Sequence, residues 1–150
     1  MKHYIIDGNN LIGKIQALNQ LHKKNKKQSA EKLAFIIGRY FNFKKASVSL
    51  HFDGFQSDGI KVHGIKIIYS ESISADEKIK NEIGISKNPK NIILITSDSN
   101  LAEFGRVCSC QLIKSEEFSK QILSSGLDEE KMKIEELNNP EEFKKLFGVK

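Results

Sequence analysis

The sequence predicts a single-domain α/β fold over residues 1–150, a doubly wound, three-layer sandwich around a mostly parallel sheet of about five strands. Three observations carry this. Short apolar runs alternate with segments of helical period along the chain. Two of those runs are apolar almost throughout, as strands covered on both faces must be. And 150 residues, 39% hydrophobic and 29% charged, are enough to bury one ordinary core. With only 2 Pro and 10 Gly, collagen-like, low-complexity and wholly disordered chains are excluded.

The strands are expected at Tyr4–Ile6, Val48–Phe52, Ile65–Tyr69, Ile92–Ile95 and Gln111–Ile113, each too short for a helix and mostly β-branched or aromatic. Between the first two, Leu33, Ile36, Ile37 and Tyr40 recur at i, i+3, i+4 and i+7, which predicts a helix from about Ser29 to Phe41. The Gly54–His63 stretch that joins the second and third strands is short, so the form of that crossover is left open. Ser74-Ala75-Asp76-Glu77 is a capping box ahead of Ile79 and Ile83, with Gly84 as the stop. Another helix follows Asp98 with Leu101, Ala102 and Phe104, and Ser115 is placed to cap a further one through Phe118 and Ile122. Asn139-Pro140-Glu141-Glu142 before Phe143, Leu146 and Phe147 predicts a last helix, so a C-terminal helical tail is expected at about 127–150.

The net charge of +5 says little by itself. Its distribution says more. From Lys14 to Lys45 there are nine basic residues against the single acid Glu31, whereas Glu116 to Lys150 holds nine acids and six bases. Cys108 and Cys110 have no second pair to complete a zinc site and read as reduced packing residues. No apolar run approaches the roughly 20 residues that span a bilayer. Met1-Lys2-His3 leads straight into Tyr4-Ile5-Ile6-Asp7 without a signal-peptide core, so the expected location is cytoplasmic and no membrane partner is expected.

In an open α/β sheet ligands sit outside the carboxyl ends of the strands. There the first strand ends in Asp7-Gly8-Asn9-Asn10, the second in Asp53-Gly54 and the fourth in Thr96-Ser97-Asp98, while Asp76 lies in the first turn of the helix after the third. Each alone reads equally as a turn or cap residue. Four carboxylates on one rim repel unless a cation compensates, and hard divalent ions such as Mg²⁺ favour such an all-oxygen setting. The expected cofactor is Mg or Mn, as one or two ions held by Asp7, Asp53, Asp76 and Asp98. A metal held there would lower the pKa of a bound water and orient it for attack, so that no protein nucleophile is needed. Asn10, Ser97 and Asn100 could hydrogen-bond a phosphate, a carboxylate or a metal-bound water, or simply cap.

Tyr-Ile-Ile-Asp7-Gly-Asn-Asn10-Leu-Ile, Phe52-Asp53-Gly, Ser74-Ala-Asp76-Glu-Lys-Ile, Ile-Thr-Ser97-Asp98-Ser-Asn-Leu-Ala and Ser-Glu-Glu-Phe118, in that order from about Tyr4 to Phe118, resemble the NYN domain. More narrowly they resemble its YacP-like branch, within the PIN-like nuclease superfamily. The resemblance implies a Rossmann-like fold and a metal-dependent ribonuclease with acidic positions at Asp7, Asp53, Asp76 and Asp98 and Asn10 beside the site. Asn9 stands where the family often has an aromatic residue.

The expected partner is RNA, free or presented within a larger assembly such as the ribosome; the oligomeric state is left open. Lys23, Lys24, Lys26 and Lys27 are candidate contacts to its backbone, as a run that is otherwise a solvated loop, with Arg39, Lys44, Lys45 and Arg106 as lesser candidates. Phe55 and Tyr69 could stack a base or pack at the rim. His51 reads as a packed or hydrogen-bonded core residue, and His3, His22 and His63 show no partner pattern. The leading function is a metal-dependent endoribonuclease. One alternative is a PIN-like RNA-binding module without turnover. Another is a Mg-dependent phosphohydrolase with an aspartyl nucleophile, against which Asn9 stands where that chemistry commonly needs a second carboxylate.

Overall fold

The computed structural model describes residues 1–56 and 59–124. The chain order is β1 (Lys2–Asp7), α1 (Gly8–Lys14), α2 (Gln16–Lys24), α3 (Lys26–Phe41), β2 (Ala46–Phe52), β3 (Lys66–Tyr69), α4 (Ala75–Gly84), β4 (Ile92–Ile95), α5 (Ser99–Val107), β5 (Gln111–Ile113) and α6 (Ser115–Ser124). All neighbouring strands are parallel, in the order β3-β2-β1-β4-β5. The order reverses between β1 and β4, so the crevice outside their carboxyl ends is the topological switch point. The predicted tail at 127–150 lies outside the described residues. Among those residues, no helix is long and apolar enough to cross a membrane.

Strand alternation divides the core between the two faces of the sheet. Ile6, Val48, Leu50, Phe52, Ile93 and Ile95 meet α1, α2, α3 and α6 on one face. Ile5, Ile92 and Leu94 meet Ile79 and Ile83 of α4 and Leu101 of α5 on the other. Cys110 is buried in this second cluster with Cys108 against it, and both are free thiols, as expected of packing residues. Phe118 closes the first face: it is fully buried, stacks on Phe41 at 6.2 Å and receives Tyr40 edge-on at 5.8 Å.

The first crossover differs most from the expectation. Helix starts immediately after Asp7, and α3 begins at Lys26, three residues before the predicted start, because the Asn25 side chain accepts the Gln28 N–H at 3.0 Å. Such a cap contributes about 1 kcal/mol. Lys23 and Lys24 therefore close α2 while Lys26 and Lys27 open α3, so the run forms a helical corner. Ser74 caps α4 as predicted, accepting the Glu77 N–H at 3.1 Å. Ser115 does not cap α6. It is the first helical residue, and its hydroxyl donates to Asn10 Oδ1 at 2.7 Å. The connection from β2 to β3 contains no described helix; Gly54 takes φ 101°, and the chain then turns back through a single bridge between Val62 and Ile65.

Gly8 lets α1 start directly against β2. A Cβ there would lie 2.5 Å from the His51 carbonyl oxygen and 2.6 Å from the Phe52 ring. Ala would gain up to about 1 kcal/mol of helix propensity. The overlap with a strand carbonyl outweighs that, since overpacking of this kind costs about 1–3 kcal/mol. Gly8→Ala is expected to lower the melting temperature by about 2–4 °C per kcal/mol lost, measured by thermal unfolding.

Candidate active site

Asp7 is the last residue of β1, paired in register with His51 of β2, and it shares the α4/α5 face of the sheet with Ile5. Its Oδ2 accepts the Thr96 hydroxyl at 3.0 Å, and Thr96 Oγ1 in turn accepts the Asp98 N–H at 3.1 Å. Burial pushes the Asp7 carboxyl above its ordinary 3.8. Hydrogen bonds from Thr96 and the Asn10 backbone oppose this, and the charges of Asp53 and Asp98 reinforce it. Asp7, Asp53 and Asp98 are therefore close enough to repel, at the carboxyl ends of β1, β2 and β4.

Each of the outer acids has its own donor. Asp53 Oδ1 accepts the N–H of Ala75, the first residue of α4, at 2.9 Å. Asp98 is the N-cap of α5, with Oδ1 accepting the Leu101 N–H at 3.0 Å. Neither Asp53 Oδ2 nor Asp98 Oδ2 has a hydrogen-bond partner among the described residues. Asp76 lies one residue beyond Ala75, where its Oδ2 meets Lys80 at 3.0 Å, and it is not among the charges that act on Asp7. Among the described residues no three His, Cys, Asp or Glu side chains stand close enough together to hold a metal ion. Like charges and separate donors account for the spacing. Asp7 is half-buried while Asp53 and Asp98 are exposed; the three offer only oxygen donors, the chemistry a hard divalent ion takes, but their carboxyls are not gathered into a metal-binding group.

Two asparagines tie the rim together. Asn9 Oδ1 accepts the Asp53 N–H at 2.7 Å, and Asn10 Oδ1 accepts the Ser97 N–H at 2.9 Å as well as the Ser115 hydroxyl. Asn9 thus holds the loop after β2 with its side-chain carbonyl. The Asn10 carbonyl is committed, and only its amide N–H groups remain for a ligand. Ser97 is committed too: its hydroxyl donates to Glu116 and accepts the Ser115 N–H at 2.9 Å. Asn100 is exposed in the first turn of α5. Glu116 is not among the site residues expected from the sequence, although it stands in the Ser-Glu-Glu-Phe118 segment that carries part of the resemblance. Lys14 lies 3.9 Å from Glu116, which Ser97 holds below its ordinary pKa.

The lysine corner lies at the same end of the sheet. The charges of Glu31 and Lys27 both reach Tyr69, the last residue of β3, although burial is the larger influence on that phenol. Lys23, Lys24, Lys26 and Lys27 so occupy the α3 layer at the carboxyl edge, while the acids face α4 and α5. Arg39 lies thirteen residues beyond Lys26, about 20 Å down α3, in the turn that leads toward the start of β2. That is the wrong end to serve the acidic rim. Tyr69 packs on Phe52 at 5.8 Å, whereas Phe55 is 73% exposed. His51 is buried and bonded to Glu82 at 2.8 Å, as expected. His3 and His22 do have partners: Glu82 and Ser47 for the first, Ser29 for the second.

The sequence model of the YacP-like NYN domain matches residues 4–146. No curated protein matches the chain. Two crystal structures of Rae1 (YacP) from Bacillus subtilis are similar in fold. A tryptophan-to-leucine mutant superposes with a TM-score of 0.72 at 19% identity, covering 98% of this chain and 92% of that one. A second structure gives 0.68 at 21% identity, covering 95% and 86%.

With a raised pKa in the folded state, Asp7 favours folding only while protonated, and that contribution is lost as pH rises from 3.8 through the raised value. At neutral pH its charge is a liability in metal-free protein. Asp7→Asn keeps an acceptor for Thr96 and is expected to melt at the same or a higher temperature than the parent at pH 7 in EDTA. The advantage should vanish below pH 3.8, as thermal unfolding at both pH values would show. A variant that melts much lower at pH 7 would mean that the Asp7 charge stabilises the fold.

Proposed function

This chain belongs to the YacP-like NYN domain family, a group of nuclease-like RNA-processing domains, and we propose that it is a metal-dependent endoribonuclease that hydrolyses RNA phosphodiester bonds. The observation that carries the reading is the place of Asp7, Asp53 and Asp98 at the carboxyl ends of β1, β2 and β4, at the switch point of a sheet in a chain of this family. Asp7, Asp53 and Asp98 would hold Mg or Mn once their carboxyls draw closer than their separate bonds leave them, and Asp76 would join them only by leaving Lys80. Bound there, the metal supplies an activated water and offsets charge on the phosphate oxygens.

The chain's own residues bind and orient. Asn10 has its amide N–H groups available to a phosphate oxygen, and Asn100 presents a second amide at the start of α5. The N-terminal turns of α4 and α5 point their positive ends at the rim, which tempers the repulsion among the acids and favours an approaching anion. Lys23, Lys24, Lys26 and Lys27 attract the RNA backbone without touching the reacting bond. A reading as an aspartyl-nucleophile phosphohydrolase is weaker, because residue 9 is an amide whose carbonyl is already taken by the Asp53 N–H.

Incubation of a single-stranded RNA with the protein in Mg²⁺ or Mn²⁺ is expected to give internal cleavage that EDTA stops. Asp7→Asn should reduce the rate by at least about a hundredfold, since even outer-sphere changes at metal sites cost that order. RNA binding without cleavage in either metal would instead identify an RNA-binding module. Replacing Lys23, Lys24, Lys26 and Lys27 by Gln should weaken RNA binding across unrelated sequences and flatten its dependence on salt, with kcat preserved and KM raised. Identical salt slopes for parent and variant would show that the corner does not contact phosphate.

A further inference from the structure

Below the rim on the same face lies a carboxylate that the proposed reaction does not use. Glu82, in the last turn of α4, receives three side chains from the sheet. Its Oε2 meets His3 Nε2 of β1 at 2.5 Å and accepts the Ser49 hydroxyl of β2 at 2.9 Å, and its Oε1 meets His51 Nε2 of β2 at 2.8 Å. His3 is braced in turn by Ser47 Oγ at 2.6 Å from Nδ1. Burial alone would raise the Glu82 pKa, but the bonds from His3, His51 and Ser49 hold it well below the carboxylate range, so the group is ionised and accepts from all three.

Helix α4 is consequently held to β2 at two places. Ala75, at its start, donates its N–H to Asp53 Oδ1, and Glu82, seven residues and about 10 Å along the axis, grips His51, Ser49 and His3. Ile79, between these points, and Ile83, just beyond Glu82, are fully buried. Apolar contact is non-directional and leaves a helix free to slide or rotate by small amounts, whereas charge-assisted hydrogen bonds fix its register along the strand. The cluster is not arranged for stability alone. It leaves His51 Nδ1 buried without a hydrogen bond, which an apolar pair at this position would avoid.

We propose that Glu82 is a positioning residue, whose bonds to His3, Ser49 and His51 set the position of α4 and thereby hold Ala75 against Asp53 at the acidic rim. The link to catalysis rests on the nuclease reading; the link to the geometry of the rim does not.

The test is amide hydrogen exchange by NMR on the full chain, parent against Glu82→Gln, read at two sites. The Ala75 N–H reports the contact with Asp53. The Leu101 N–H, bonded to Asp98 at the start of α5, is an internal control that Glu82 does not hold. Ala75 should exchange roughly tenfold faster in the variant while Leu101 is unchanged. In RNA cleavage, kcat should fall with KM unaltered. Should Glu82→Gln fail to fold, His3→Ala removes one of the three bonds from a partly exposed side chain and supports the same comparison. Equal protection of Ala75 in parent and variant overturns the proposal, and so does joint acceleration of Ala75 and Leu101, which marks general loosening. Selective acceleration with kcat unchanged would overturn the catalytic link. Selective acceleration in a parent that cleaves no RNA would leave the positioning role standing and bring down the nuclease reading instead.

Discussion

The rim depends on two neighbouring amides. Parallel strands end without a ladder partner for the loops that leave them, and the N–H groups of those loops must find acceptors elsewhere. Asn9 serves the loop after β2 through the Asp53 N–H, and Asn10 serves the loops after β4 and β5 through Ser97 and Ser115. Both sit in the first turn after β1, the central strand. The ends of three strands are thus referred to the short segment that follows a fourth, and every acid that acts on Asp7 is placed relative to it. A neutral carbonyl suits this task, because a further carboxylate would add to the repulsion already felt at Asp7.

Around that anchor the two faces of the sheet are used differently. The α4/α5 face carries the acids, the helix N-termini and the Glu82 cluster; the opposite face carries the basic helices and the larger apolar cluster. Attraction of a polyanion and the gathering of carboxylates at one rim are opposed electrostatic demands, and the thickness of the sheet keeps them apart. The strand ends are the place where the two meet, with Tyr69 sensing Lys27 on one side and Asp7 sensing Asp53 on the other.

Local pattern made the strands, the Ser74 cap and the position of the acids legible, since apolar period and turn chemistry depend on neighbours in sequence. It failed where distant residues decide. Gly8-Asn9-Asn10 looks like a turn until β2 is seen lying against Gly8 and β4 and β5 are seen taking the Asn10 carbonyl. Glu82 looks like an exposed helix acid, and its partners His3 and His51 lie 79 and 31 residues away. The separate bonding of the four acids was likewise hidden, because it depends on whether a backbone N–H or a lysine lies nearer than another carboxylate.

Those long spans also set the order in which the molecule can be completed during synthesis. The central strand is made before either of its neighbours, yet the second of them, β4, follows only at Ile92, and the Asn10 carbonyl waits 105 residues for the Ser115 hydroxyl. A chain elongates from its N-terminus, at about 5–20 residues each second. For several seconds β1 and β2 can pair while the other edge of β1 stays open, and Asp7 lacks Thr96 and Asp98. The rim therefore cannot assemble around a half-made chain, and a nascent protein carries its first aspartate long before it carries a site.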